Sequence, residues 1–160
     1  MSDIADIADV PTSDVPPLRY ADLRIGAEYW SAAYRFEMED VVAFARQWDP
    51  QSYHTDETAA ATSVFGRLSA SGIQTFAVSQ KIFNELWLFR EIGLAGMGMD
   101  NFRWRRPVYP GDTVRVRGRI ADIREKDEGR AVVVMTTDMV NQDGVVVLRY
   151  DLNVLVRTDR

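Results

Sequence analysis

An α+β fold, with an antiparallel sheet laid over one long apolar helix, is what this sequence predicts, and three observations lead there. Residues 71–89, "SGIQTFAVSQKIFNELWLF", space Ile73, Phe76, Ala77, Ile82, Phe83 and Leu86 at helical intervals over a length that only a buried helix uses. Beyond "GLAGMGM" the period changes to two: "NFRWRRPVY", "DTVRVRGRIADIRE", "RAVVVMTTDMVNQ" and "VVVLRYDLNVLVR" alternate or run β-branched. The turn-formers "PGD", "KDEG" and "QDG" stand between those four segments, so the expectation is a four-strand antiparallel meander. A sheet with one apolar face must cover something, and the apolar helix is the available layer.

The remaining elements follow in chain order. Residues 1–19, with a "DIADIAD" echo and the proline-bearing "VPTSDVPP", read as a flexible N-terminal arm, leaving 20–160 as one domain. The aromatic-rich "EYWSAAYRF" (28–36) suits an early strand. In "EMEDVVAFARQW" (37–48), Val41, Val42, Ala45 and Trp48 form the apolar face of a helix, which must end before Pro50 because a residue preceding proline is pushed out of helical angles. Residues 51–70 mix short polar and alanine-rich pieces. No internal repeat divides the chain.

Composition narrows the chemistry. A chain of 160 residues with 46% hydrophobic and 27% charged residues has the balance of a globular domain, and no apolar run approaches a membrane span. With no cysteine, thiolate catalysis, disulfides and cysteine-ligated metals are excluded, and a single histidine removes multi-histidine sites. A formal charge of -5 argues against broad nucleic-acid binding, so any anionic ligand must be met locally. The N-terminus lacks the cationic start and apolar stretch of a secretory signal, and a cytoplasmic location is expected.

The candidate site begins in "QWDPQSYHTDE" (47–57), which holds the only histidine. Asp49-Pro50 is an ordinary way to cap a turn, and a lone His54 is ordinarily a satisfied surface or core group. If 50–55 form a tight loop or one helical turn, however, Asp49 and His54 can face one cleft and share a water. Further on, Ser71 and Gly72 open the long helix, exposing unpaired amides at its positive end. A glycine there permits a bound acyl group to approach the backbone, while plain capping by Ser71 and tight packing at Gly72 explain the same residues.

Three segments together resemble one family. "DPQSYHTDETAAATSVFG", "LSASG" and "FRWRRPVYPGDTVRVRG" are similar, in this order, to the MaoC-like dehydratases and (R)-specific enoyl-CoA hydratases. The resemblance implies a hotdog fold, in which a long central helix is wrapped by a curved antiparallel sheet, built as a homodimer or higher homo-oligomer with active sites near the subunit interface. It also implies that Asp49 and His54 are the catalytic pair and that the Gly72 amide, beside Ser71, binds a thioester carbonyl. Many relatives carry His-Gly where this chain has Ser71-Gly72. Some place a serine near the catalytic carboxylate, at a position that corresponds here to Gln80 or its neighbour Ser79.

The expected activity is reversible hydration of a trans-2-enoyl thioester, carried on coenzyme A or an acyl-carrier protein, to a 3-hydroxyacyl thioester, with no metal or organic cofactor. In "RWRRP", Arg103 and Arg105 share a strand face and could take carrier phosphates, Arg106 pointing away, although a solvated face explains them equally. Arg115, Arg117 and Arg119 read as a solvated stripe. Tyr53 could touch the acyl chain or simply pack. Met97, Met99 and Phe102 could line an acyl tunnel, with Gly96 and Gly98 marking a bulge. Two other readings stay open: a hotdog thioesterase, in which Asp49 directs water at the carbonyl carbon, and a non-catalytic acyl-thioester-binding partner subunit.

Overall fold

The computed structural model describes residues 12–159, and the elements follow from the patterns above. A 3₁₀ turn (Tyr20–Asp22) leads to β1 (Glu28–Trp30) and β2 (Tyr34–Arg35), then α1 (Met38–Trp48), α2 (Ser52–Thr55), α3 (Glu57–Ala61) and α4 (Gly72–Asn84). Four long strands close the chain: β3 (Gly93–Trp104), β4 (Thr113–Lys126), β5 (Arg130–Asn141) and β6 (Val146–Arg157). All pairings are antiparallel, in the order β1-β4-β5-β6-β3, with β2 also on β4.

That order corrects the expected four-strand meander. Only β4–β5–β6 is a meander, and β3 lies at the far edge, pairing with β6 from Gly93↔Val156 to Trp104↔Leu148. Turn chemistry supplies the reason. Asp127–Gly129, where Glu128 and Gly129 both have positive φ, reverses the chain in three residues, and Gly144 (φ 73°) serves the next hairpin. The β3–β4 connection is longer and holds Pro107, Pro110 and Gly111 (φ 93°), so it spans the sheet end instead of forming a hairpin. The early strand is likewise two short pieces, interrupted at the fully buried Ser31, whose hydroxyl accepts from the Val116 amide.

The core lies between α4 and one face of the sheet. Val114, Val116 and Ile120 of β4, Met135 and Met139 of β5, and Leu148 and Tyr150 of β6 are fully buried there. Gly118 is where the helix rests on the sheet: a Cβ at that position would stand 2.2 Å from Cζ of Phe83. The face that α4 buries differs from the expected one. Val78, Ile82 and Phe83 are buried as apolar contacts, but Gln74, Thr75 and Ser79 share that face, while Ile73 and Ala77 are exposed. Ser79 is tolerated because its hydroxyl meets Tyr150 Oη at 2.9 Å, to which Gln80 also donates (2.8 Å). Burial pushes the Tyr150 phenol up.

On the opposite face of β4, the arginine stripe is solvated only at Arg119. Arg115 is 4% exposed, with Nε and Nη2 donating to the Ser31 carbonyl (2.9 and 2.7 Å), and Arg117 is half-buried against Asp138. Trp48, expected on the apolar face of α1, is exposed, whereas Val41 and Ala45 are buried. Of the expected arm, residues 1–11 lie outside the described residues. Residues 12–19 lie against the fold: the Ser13 amide donates to the Trp30 carbonyl, the Leu18 amide to the Leu88 carbonyl, and the Leu18 side chain is buried.

Candidate active site

Asp49 terminates α1, its amide still donating to the Ala45 carbonyl (2.9 Å), and Pro50 forbids another helical turn. The chain restarts at once as the single turn α2, where the His54 amide donates to the Gln51 carbonyl (2.9 Å). This stop and restart brings the five-residue spacing onto one cleft: His54 Nε2 stands 3.6 Å from Asp49 Oδ2. The imidazole is 6% exposed, packed edge-to-face on Tyr53 (centroids 4.5 Å) with Phe65 beyond it.

The other wall is the segment 69–71, which arrives from α3 and enters α4. It is stitched in place by Ser69 N–H to the Tyr53 carbonyl (3.2 Å) and Ala70 N–H to the Val108 carbonyl (2.8 Å). His54 Nδ1 lies 2.7 Å from the Ser69 carbonyl oxygen. A carbonyl only accepts, so Nδ1 carries the proton, and in the neutral ring Nε2 presents a lone pair towards the carboxylate. Two acceptors 3.6 Å apart do not bond to each other. A water molecule, with two hydrogens to donate, satisfies both. Ser71 caps α4, its Oγ accepting from the Ile73 amide (3.1 Å), and donates to Asp49 Oδ2 at 2.6 Å. Gly72 begins the helix, where amides have no intrahelical acceptor.

These groups face a cavity of about 400 Å³ lined by Asp49, Tyr53, His54, Gly72, Trp104 and Arg105 among others. Trp104 explains why position 72 is glycine in this chain. The indole lies over it with Nε1 donating to the Gly72 carbonyl (2.9 Å), and a Cβ would stand 2.8 Å from the ring.

Of the residues expected at a site, the fold therefore gathers Asp49, His54, Tyr53, Gly72 and Arg105 around the cavity, with Ser71 buried behind the carboxylate. Arg103 does not line it: its Nη1 donates to the Phe102 carbonyl. Arg106 does, contrary to strand alternation: β3 ends at Trp104, and the amides of Arg105 and Arg106 both donate to the Val147 carbonyl, so the regular alternation does not extend to residue 106. The expected tunnel residues are elsewhere. Met97 and Met99 are exposed on the edge strand, and Phe102 packs on Phe76 and Tyr150. The bulge itself is present, with a register shift between Gly96 and Gly98. Sequence reasoning missed Ser69, whose contribution is a backbone carbonyl, and Trp104. Among the described residues, no three His, Asp or Glu side chains are grouped to hold a metal, and no helix is long and apolar enough to cross a membrane.

Residues 22–142 match the family model described as MaoC like domain. The uncharacterized protein YdeM of Bacillus subtilis is 29% identical over 140 residues, 88% of this chain and 99% of that protein. The crystal structure of a MaoC-like dehydratase from Rhodospirillum rubrum is 36% identical, with TM-score 0.82 over 88% of this chain and 97% of that one. The unliganded (R)-hydratase PhaJ1 from Pseudomonas aeruginosa shares the fold at 23% identity, with TM-score 0.72 over 89% and 88% of the two chains. The α4-and-sheet architecture is the hotdog fold.

Proposed function

Because the chain belongs to the MaoC-like domain family, we propose that it catalyses reversible hydration of a trans-2-enoyl thioester to a 3-hydroxyacyl thioester. The observation that carries this reading is the approach of Asp49 Oδ2 and His54 Nε2 to 3.6 Å on a cavity that also holds the first residue of α4. Water held between them loses a proton to one acceptor as its oxygen bonds to the β-carbon. The π electrons move through the α-carbon to the carbonyl oxygen, and the α-carbon then takes a proton, so one water is added across the double bond. The Gly72 amide at the α4 start favours the enolate oxygen over the ground-state carbonyl, an effect whose loss costs about 3–4 kcal/mol for one donor.

Arg105 and Arg106 line the cavity, and we assign them to the phosphates of a coenzyme A or acyl-carrier thioester. The exposed edge strand β3, with Leu94, Met97 and Met99, and the exposed Ile73 on α4 support a homodimer in which a second copy covers this apolar edge. One assay on crotonyl-CoA tests the activity: the enoyl absorbance is expected to fall without release of free thiol. Thiol release instead would turn the reading to a thioesterase, and no change in either signal would refute hydration.

A further inference from the structure

We propose that Ser71 is a positioning residue that fastens the Asp49 carboxylate to the head of α4, fixing the distance between base and oxyanion site; this rests on the reading of Asp49 as part of the water-activating pair. Ser71 is fully buried, so its hydroxyl must be satisfied by protein groups. Its lone pair accepts from the Ile73 amide (3.1 Å), and its single hydrogen is then directed to Asp49 Oδ2, 2.6 Å away. The same hydroxyl thus organises the first turn of the helix and one oxygen of the carboxylate. Among the described residues, Ser71 is the one side chain that hydrogen-bonds Asp49, and it does so on Oδ2, the oxygen that faces His54.

No other side chain on α4 does this. Ser79 and Gln80, about two turns into the helix, are both engaged with Tyr150 Oη on the sheet side. The Thr75 hydroxyl donates to the Ser71 carbonyl. Ser71 also immediately precedes Gly72, so a single peptide unit links the residue that holds the carboxylate to the amide that meets the thioester. Displacing the carboxylate displaces the water relative to the β-carbon, and an error near 1 Å in such geometry costs about 10²-fold in rate.

The test separates orientation from capping. Glycine is nearly as good as serine at a helix N-cap, so Ser71→Gly keeps the helix start but removes the hydroxyl. On crotonyl-CoA, Ser71→Gly and Ser71→Ala are expected to lose about 10²-fold in kcat with KM within about threefold of wild type, while Ser71→Thr regains most of the rate. A Ser71→Gly protein hydrating within about threefold of wild type would overturn the proposal. A second measurement needs no substrate. Thermal melts of Ser71→Ala, Asp49→Ala and the double variant are expected to be non-additive, because either change alone breaks the same hydrogen bond, and additive melts would overturn the link even if hydration proceeds. Should the wild-type chain hydrate nothing, the functional reading falls, while the melts still decide whether Ser71 holds Asp49.

Discussion

Two carboxylates of this molecule, the half-buried Asp49 and the buried Asp138, are treated in opposite ways. Asp138, 2% exposed on the outer sheet face, receives Arg149 through Nε and Nη2 (2.5 and 2.8 Å) and Arg117 through Nη2 (2.8 Å). Burial alone pushes its carboxyl up, but the hydrogen bonds from Arg149 and Arg117 prevail and hold it below the usual carboxylate range. Among the described residues, no Lys or Arg pairs with Asp49. It accepts one neutral hydroxyl, that of Ser71, and faces Nε2 of His54 at 3.6 Å beside a cavity. A carboxylate saturated by two guanidiniums has nothing left to offer a ligand, whereas one with a free oxygen and an acceptor opposite can position water. Partner chemistry, together with the greater exposure of Asp49, separates the two acids.

The contrast is broken most severely by removing the reactive pair. Asp49→Asn or His54→Ala is expected to lower hydration of crotonyl-CoA about 10²–10⁴-fold with the fold intact by circular dichroism; near-normal rates in both would show that these groups do not handle the water. The next largest effect falls on stability alone. Asp138→Asn leaves Arg117 and Arg149 without their buried partner and should cost about 3 kcal/mol in denaturant unfolding at pH 7, with kcat unchanged.

That deficit carries a pH signature. A carboxyl held below its ordinary value near 4 stabilises the fold above that pH and loses the contribution as pH falls through the lower folded value. Melts of wild type and Asp138→Asn should therefore converge on acidification below about pH 4, and a constant gap would contradict the assignment.

A finer test uses the single histidine. Ring ¹⁵N spectra of untagged protein are expected to place the proton of the neutral imidazole on Nδ1, towards the Ser69 carbonyl; a proton on Nε2 would remove the facing acceptors. The smallest effect belongs to the rim. Arg105→Ala and Arg106→Ala should each raise KM about threefold to tenfold and weaken its salt dependence, leaving kcat alone, and Arg103→Ala should do neither.

Much of the site was legible because it is local. Asp49 and His54 are separated by one interrupted turn, and Pro50 forces the interruption, so their convergence follows from short-range backbone rules. Gly72 was legible as a close approach, though the group approaching it in the structure is Trp104, 32 positions on. Arg106 was misplaced because alternation holds only while a strand is paired, and pairing stops at Trp104. Ser71 read as a cap, which it is, but its second hydrogen bond joins residues 22 apart.

By itself the sequence determined the first helix, the long apolar helix and the three strands of the meander, and that one histidine lies a turn beyond an acid, because capping, proline geometry and side-chain periodicity act over a few residues. Only the tertiary structure decided that β3 crosses to the far edge, that Arg117 and Arg149 converge on Asp138, and that the Ser69 carbonyl orients the imidazole. Those outcomes depend on which distant backbone and side-chain groups find each other once the core has closed, and no local pattern encodes that pairing.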